Sequence, residues 1–144
     1  NLVQAGSTMG SGGMIVLDET TCMVDLARHY MHFTQEESCG KCVPCRVGTR
    51  QMHDILVGIT RGEGKEEDLA RLEELGNSIR VASLCGLGQA APNPVLSTLR
   101  HFRQEYIAHI KQRKCAARVC RDLASSPGQE PASSGRRAKK QSHD

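Results

Sequence analysis

The chain contains no tryptophan, and only two phenylalanines and two tyrosines among its 144 residues. With so few rings to stack on and a net charge of only +3, a nucleic-acid surface is not expected, since that needs aromatic platforms or a concentrated basic face. Long apolar runs are missing as well. The run Met14–Leu17 is typical in lasting a few residues, far short of the ~20 that a spanning helix needs, so direct membrane insertion is not expected. The start, "NLVQAGSTMG", has no basic stretch followed by an apolar one and no initiator methionine. A secretory leader is therefore not expected, and the chain reads as a piece of a longer protein. No Ser–His–Asp order, paired-carboxylate signature or P-loop is recognisable, which leaves little support for enzymatic chemistry carried by these residues alone.

Cysteine is plentiful by contrast. Seven cysteines, an odd number without a leader, point to reduced thiols, some of them metal-bound, in a reducing compartment rather than to a secreted disulfide scaffold. A cytoplasmic location is the corresponding expectation.

The fold class expected is all-α, a small four-helix bundle. The first helix runs from about Thr20, as N-cap, to about Thr34, with Met23, Leu26, Ala27, Tyr30 and Met31 on one face. The second begins near Pro44, where the missing N–H suits a first turn, and carries Met52, Ile55, Leu56 and Ile59 before "RGEG" ends it. The third covers about Glu66 to Val81 on Leu69, Leu72, Leu75 and Ile79, with acidic residues in its first turn. The fourth starts with Asn93 as cap and Pro94 at the first position, and runs to about Lys114 on Val95, Leu99, Phe102, Tyr106 and Ile110. Short connections between amphipathic helices imply a bundle. Ahead of it, "MIVL" reads as a strand whose partners lie elsewhere, because a lone strand is not stable. The stretch from Ala124 is rich in Ser, Pro and Gly and then basic, and is expected to be disordered. The division is thus 1–19, 20–114 and 115–144.

"ESCGKCVPCR" places Cys39, Cys42 and Cys45 at a spacing of three, and Cys85 follows forty residues after Cys45 in "SLCGLG". Three thiolates close in sequence converge on one metal core when the backbone wraps it, and a distant fourth closes the site, as a cubane [4Fe–4S] cluster requires. Structural zinc sites usually pair two C-x2-C knuckles instead, so the spacing favours iron–sulfur. A zinc-stabilised helical interaction module without redox function stays open as the alternative, and a disulfide reading is weaker. Gly40, Gly86 and Gly88 permit close backbone approach, and Lys41 and Arg46 bring positive charge beside an anionic assembly. Both effects raise a cluster potential within the range of roughly −700 to +450 mV.

The stretches "GSGGMIVLDETTCMVDLARHYMHFTQEESCGKCVPCRVGTRQM" and "SLCGLGQAAPNPVLSTLRHFRQEYIAHI" resemble the C-terminal part of the NADH-binding flavoprotein subunit of respiratory complex I. The same part occurs in its relatives, the diaphorase subunits of NAD-linked hydrogenases and formate dehydrogenases. The likeness covers about residues 6–114. It implies a helical bundle holding one [4Fe–4S] cluster on Cys39, Cys42, Cys45 and Cys85. In that family the cluster takes single electrons from FMN reduced by NADH and passes them to the next redox centre. The implied partners are other subunits of a multi-subunit redox complex, including a ferredoxin-like or thioredoxin-like iron–sulfur subunit, with association at the inner membrane only through the complex. The family's glycine-rich FMN and NAD region lies upstream of the matching stretch; Gly10, Gly12 and Gly13 match no dinucleotide fingerprint. FMN and NAD are therefore implied for the full-length protein and not for this segment. The "MIVLDE" strand resembles the end of the β-grasp-like segment that precedes the bundle in the family.

Three cysteines remain. "KCAARVC" (Cys115, Cys120) is similar to the start of a ferredoxin-like extension in hydrogenase-type relatives, but no further cysteine follows, so a second cluster is not expected. Both read as spare thiols on a frayed helix end, and Cys22 as a packing residue of the first helix. The histidines, His29, His32, His53, His101, His109 and His143, are scattered and read as surface or partly buried side chains. His29 and His32 share a helical face without a third ligand.

Overall fold

The computed structural model describes Gln4 and residues 13–124. Helices dominate it: α1 (Met23–Glu37), α2 (Val43–Thr60), α3 (Glu67–Ala82), α4 (Gly86–Ala90), α5 (Asn93–His101) and α6 (Arg103–Ile107), then a π-helical turn (Ala108–Gln112) and α7 (Arg121–Ala124). There is no strand among the described residues. The all-α expectation is met, and Met14–Leu17 lie exposed without a strand partner.

The periodic stripes explain the packing. α1 packs on α2 and α5, and α3 packs on α2 and α5, which closes a four-helix ring. Met31, Met52, Leu56, Ile59, Leu72, Ile79, Val95, Leu99 and Tyr106 are completely or almost completely buried between them. Removing a Leu or Ile side chain from water in this way stabilises the fold by about 1.5–3 kcal/mol. The buried Tyr106 hydroxyl keeps a partner in the Thr98 hydroxyl at 2.7 Å, and burial pushes its pKa well above the usual phenol value. Ion pairs between Arg103 and Glu73 at 2.7 Å and between Lys111 and Glu66 at 2.9 Å tie the last helices to α3 and the turn before it.

Four details differ from the sequence reading. Helix α1 begins at Met23, capped by Cys22 rather than Thr20; the Cys22 sulfur accepts from the Asp25 N–H at 3.5 Å. Asn93 is inside α5, because Pro92 already adopts helical angles as its N-cap. The long fourth helix is interrupted at Phe102, a residue 43% exposed whose backbone (φ −126°, ψ 31°) leaves the helical region. Packing also continues past Lys114: Cys115, Cys120 and Leu123 are buried, so the ordered unit reaches Ala124. Residues 125–144, including most of the expected disordered tail, lie outside the described residues.

Candidate metal centres

The first site forms where α1 ends. Ser38 caps α1 in extended conformation, its N–H donating to the Gln35 carbonyl. The chain then reverses through Gly40, whose φ of +73° is one that side-chain-bearing residues rarely adopt. The Ser38 hydroxyl accepts from the Gly40 N–H at 3.2 Å and lies 3.4 Å from the Cys45 sulfur. The Arg46 guanidinium donates to the Gly40 carbonyl at 2.6 Å, so its charge braces the turn beside the thiols. Cys42 is the N-cap of α2, and Cys45 sits in the first turn after Pro44. Two of the thiols therefore stand at the positive end of an 18-residue helix, which favours an anionic group there.

Cys85 arrives from the other side as the N-cap of α4. This five-residue helix is not legible in a stretch holding Gly86 and Gly88. Cys39, Cys42, Cys45 and Cys85 line one cleft of about 90 Å³ together with Glu37, Ser38 and Leu87. The thiols grade from buried (Cys45) through half-buried (Cys42) to exposed (Cys39 and Cys85). A β-carbon added at Gly88 would fall 2.6 Å from the Ser83 β-carbon and 3.4 Å from that of Cys45, so only glycine lets α4 close this near. The Ser83 hydroxyl is buried there without a hydrogen-bond partner. The donor set, four thiols reaching one cleft from two chain segments, fits a [4Fe–4S] cluster.

A second constellation lies at the opposite end of α1. Cys22, His109, Cys115 and Cys120 are all buried, and their ligand-capable atoms lie within 4.8 Å of one another. The Cys22 sulfur is 3.3 Å from His109 Nε2 and 3.8 Å from the Cys120 sulfur; the Cys120 sulfur is 3.5 Å from the same Nε2. The contact with Cys120, outweighing burial and helped by His109, holds the Cys22 thiol at about 4. Cys120, facing that sulfur, is pushed far above the thiol range. Burial alone would lower His109, but Cys22 and the Glu105 carbonyl raise it to about 9. The readings of Cys115 and Cys120 as spare thiols on a frayed helix end and of His109 as a surface or partly buried histidine are corrected by this geometry. The backbone break at Phe102 and the π-helical turn carry His109 inward. The H-x5-C-x4-C spacing of His109, Cys115 and Cys120 is the signal available in the sequence, but the fourth member, Cys22, lies 87 residues upstream of His109.

The model of the NADH-ubiquinone oxidoreductase-F iron–sulfur binding region matches residues 25–109, a stretch that contains all four thiols of the first site. The NADP-reducing hydrogenase subunit HndC of Solidesulfovibrio fructosivorans is 50% identical over 123 residues, covering 85% of this chain and 25% of that protein. The second NADH-quinone oxidoreductase F-subunit of Rhizobium meliloti (strain 1021) is 44% identical over 115 residues, covering 80% of this chain and 27% of the relative. Among solved structures, an NAD+-reducing [NiFe]-hydrogenase in the H2-reduced state aligns with a TM-score of 0.64 and 38% identity, over 67% of this chain and 17% of the other. The chain thus spans about a quarter of the length of these curated relatives. With more than half of its residues matched, the chain belongs to the NADH-ubiquinone oxidoreductase-F iron–sulfur binding family and is a [4Fe–4S] cluster protein.

Proposed function

We propose that Cys39, Cys42, Cys45 and Cys85 are the four cluster ligands and that this segment is the electron relay of an NADH-oxidising flavoprotein. The observation that carries the reading is their convergence on one cleft from two chain segments. When bound, a [4Fe–4S] cluster supplies one-electron transfer, here between FMN reduced by NADH and the next redox centre. FMN and NAD would bind the longer protein, upstream of this bundle.

The residues divide the remaining work. Cys45 anchors the site in the core, and the α2 N-terminus favours negative charge. The Arg46–Gly40 contact fixes the loop that carries Cys39. Leu87 lines the cleft and is 37% exposed, and Val43 and Leu84, chain neighbours of Cys42 and Cys85, are 57% and 88% exposed. Apolar surface around a redox mouth suits coverage by the flavin-binding part and by a ferredoxin-like or thioredoxin-like iron–sulfur subunit. Met14–Leu17, similarly exposed, would join a β-grasp-like sheet outside this chain, which sets residues 1–19 apart from the bundle. No helix among the described residues is long and apolar enough to cross a membrane; a cytoplasmic complex, peripheral to the membrane at most, fits the reading.

Anaerobic reconstitution tests it. The chain should turn brown and give a paramagnetic signal on one-electron reduction at low temperature. Cys85→Ser should lose most of its iron, whereas Cys22→Ser should keep the signal. A colourless protein, or equal iron loss from both variants, would overturn the ligand assignment.

A further inference from the structure

We infer that Cys22, His109, Cys115 and Cys120 form a second metal site, for a structural zinc ion, separate from the cluster. Three of its four residues, Cys22, Cys115 and Cys120, lie outside the stretch of residues 25–109 that the family model matches, so that match does not assign the site.

Distances decide the metal class. Ligands at zinc's usual ~2.3 Å for sulfur and ~2.0–2.1 Å for nitrogen stand, on a tetrahedron, about 3.8 Å apart for a sulfur pair and about 3.6 Å for a sulfur–nitrogen pair. The observed values are 3.8 Å for Cys22 to Cys120, and 3.3 and 3.5 Å for His109 Nε2 to Cys22 and Cys120. All four donor atoms fall within 4.8 Å of one another. A cubane cannot fit such a set, because its ligand sulfurs are held apart by the width of the iron–sulfur core. One ion at the centre can.

The surroundings agree. His109 Nδ1 is 2.7 Å from the Glu105 carbonyl, so its N–H donates there and Nε2 faces the sulfurs, where a bound metal would displace its proton. Metal-binding histidines are usually fixed in this way. The Cys22 sulfur also accepts from the Asp25 N–H, support of the kind a bound thiolate needs. All four residues are buried, and three thiolates with one imidazole form a closed shell, as in structural zinc sites rather than catalytic ones.

The backbone is bent to build it. A π-helical turn, rare and frequent at functional sites, carries His109. Two non-glycine residues, Arg113 and Arg118, take left-handed φ values of 49° and 57° on either side of Cys115, and such strain persists only where other contacts hold it. Zinc binding would release the thiol protons to solvent and clasp residues 115–124 onto the start of α1.

The test uses the full chain, expressed with both iron and zinc in the medium and purified anaerobically. Metal analysis should give one zinc per chain beside the cluster iron, and zinc-edge X-ray absorption should show three sulfurs and one nitrogen. Cys120→Ser should bring zinc to background with the iron retained. His109→Cys should keep zinc with a four-sulfur shell, so the inference stands or falls even if the serine variant does not fold. Absence of zinc from the wild-type chain, an oxygen-rich zinc shell, iron in the site, or a zinc shell unchanged by His109→Cys would overturn it.

Discussion

Cys39, Cys42, Cys45 and Cys85 gather at the C-terminal end of α1, while Cys22, His109, Cys115 and Cys120 gather at its N-terminal end. The 15 residues of α1 separate the two groups by about 22 Å along the helix axis. The first site keeps two exposed thiols beside Leu87; the second is buried on every member and includes an imidazole. An electron relay has to stay near its surface, because donor and acceptor must approach it. A structural ion gains from burial, because a closed shell excludes competing ligands. The contrast in exposure therefore separates the roles more clearly than residue type does, since both sites are built mainly from cysteine.

Four changes would sharpen or break this contrast. Cys120→Ser should have the largest effect on folding: losing a structural zinc removes binding free energy that the folded state depends on. The thermal midpoint should fall by more than about 10 °C while the cluster spectrum is kept. A midpoint close to wild type would mean the second site contributes nothing to the fold. Gly88→Ala addresses the other end. Its new β-carbon would crowd Ser83 and approach Cys45, so iron loss in air should accelerate several-fold with zinc unaffected, as followed by visible bleaching.

Tyr106→Phe alters the helical core and neither set of ligands. It removes the buried hydrogen bond with Thr98 and should cost about 1 kcal/mol in denaturant unfolding, with both metals at wild-type content. Metal loss from this variant would show that the sites are not independent of general stability.

The smallest effect concerns His53, on α2 between the two ends. Burial holds its pKa below 6.5, and its Nε2 is buried without a partner. The folded state thus favours the neutral ring. As pH falls through about 6.5 the unfolded chain takes up the proton first, so stability falls with pH until the lowered folded pKa is passed. His53→Gln should flatten that slope in unfolding experiments; an unchanged slope would assign it elsewhere.

How much the sequence reveals differs between the two ends for the same physical reason. The bundle is readable because Met52, Leu56 and Ile59, or Leu69, Leu72 and Ile79, repeat at helical spacing. The first site is readable because three of its thiols fall within seven residues, Cys39 to Cys45, where local backbone geometry alone brings them together. The second site depends on tertiary structure. Cys22 meets His109 because α1 packs against α5 and α6, and His109 sits in the π-helical turn that follows the break at Phe102 and the short α6. A pattern that assumes one continuous helix from Asn93 to Lys114 hides both events. The N-cap of α1 escapes the sequence pattern for a related reason: Thr20 has the favoured side chain, but the Cys22 sulfur is the acceptor at the Asp25 N–H.

Two independent metal sites are tested most directly by counting iron and zinc per chain, side by side, in the anaerobically purified wild type, Cys85→Ser and Cys120→Ser. Both metals are expected in the wild type, zinc without a full iron complement in Cys85→Ser, and iron without zinc in Cys120→Ser. Parallel loss of both metals from both variants, or iron lost from Cys120→Ser with zinc retained, would contradict the assignment of one cluster and one separate zinc ion.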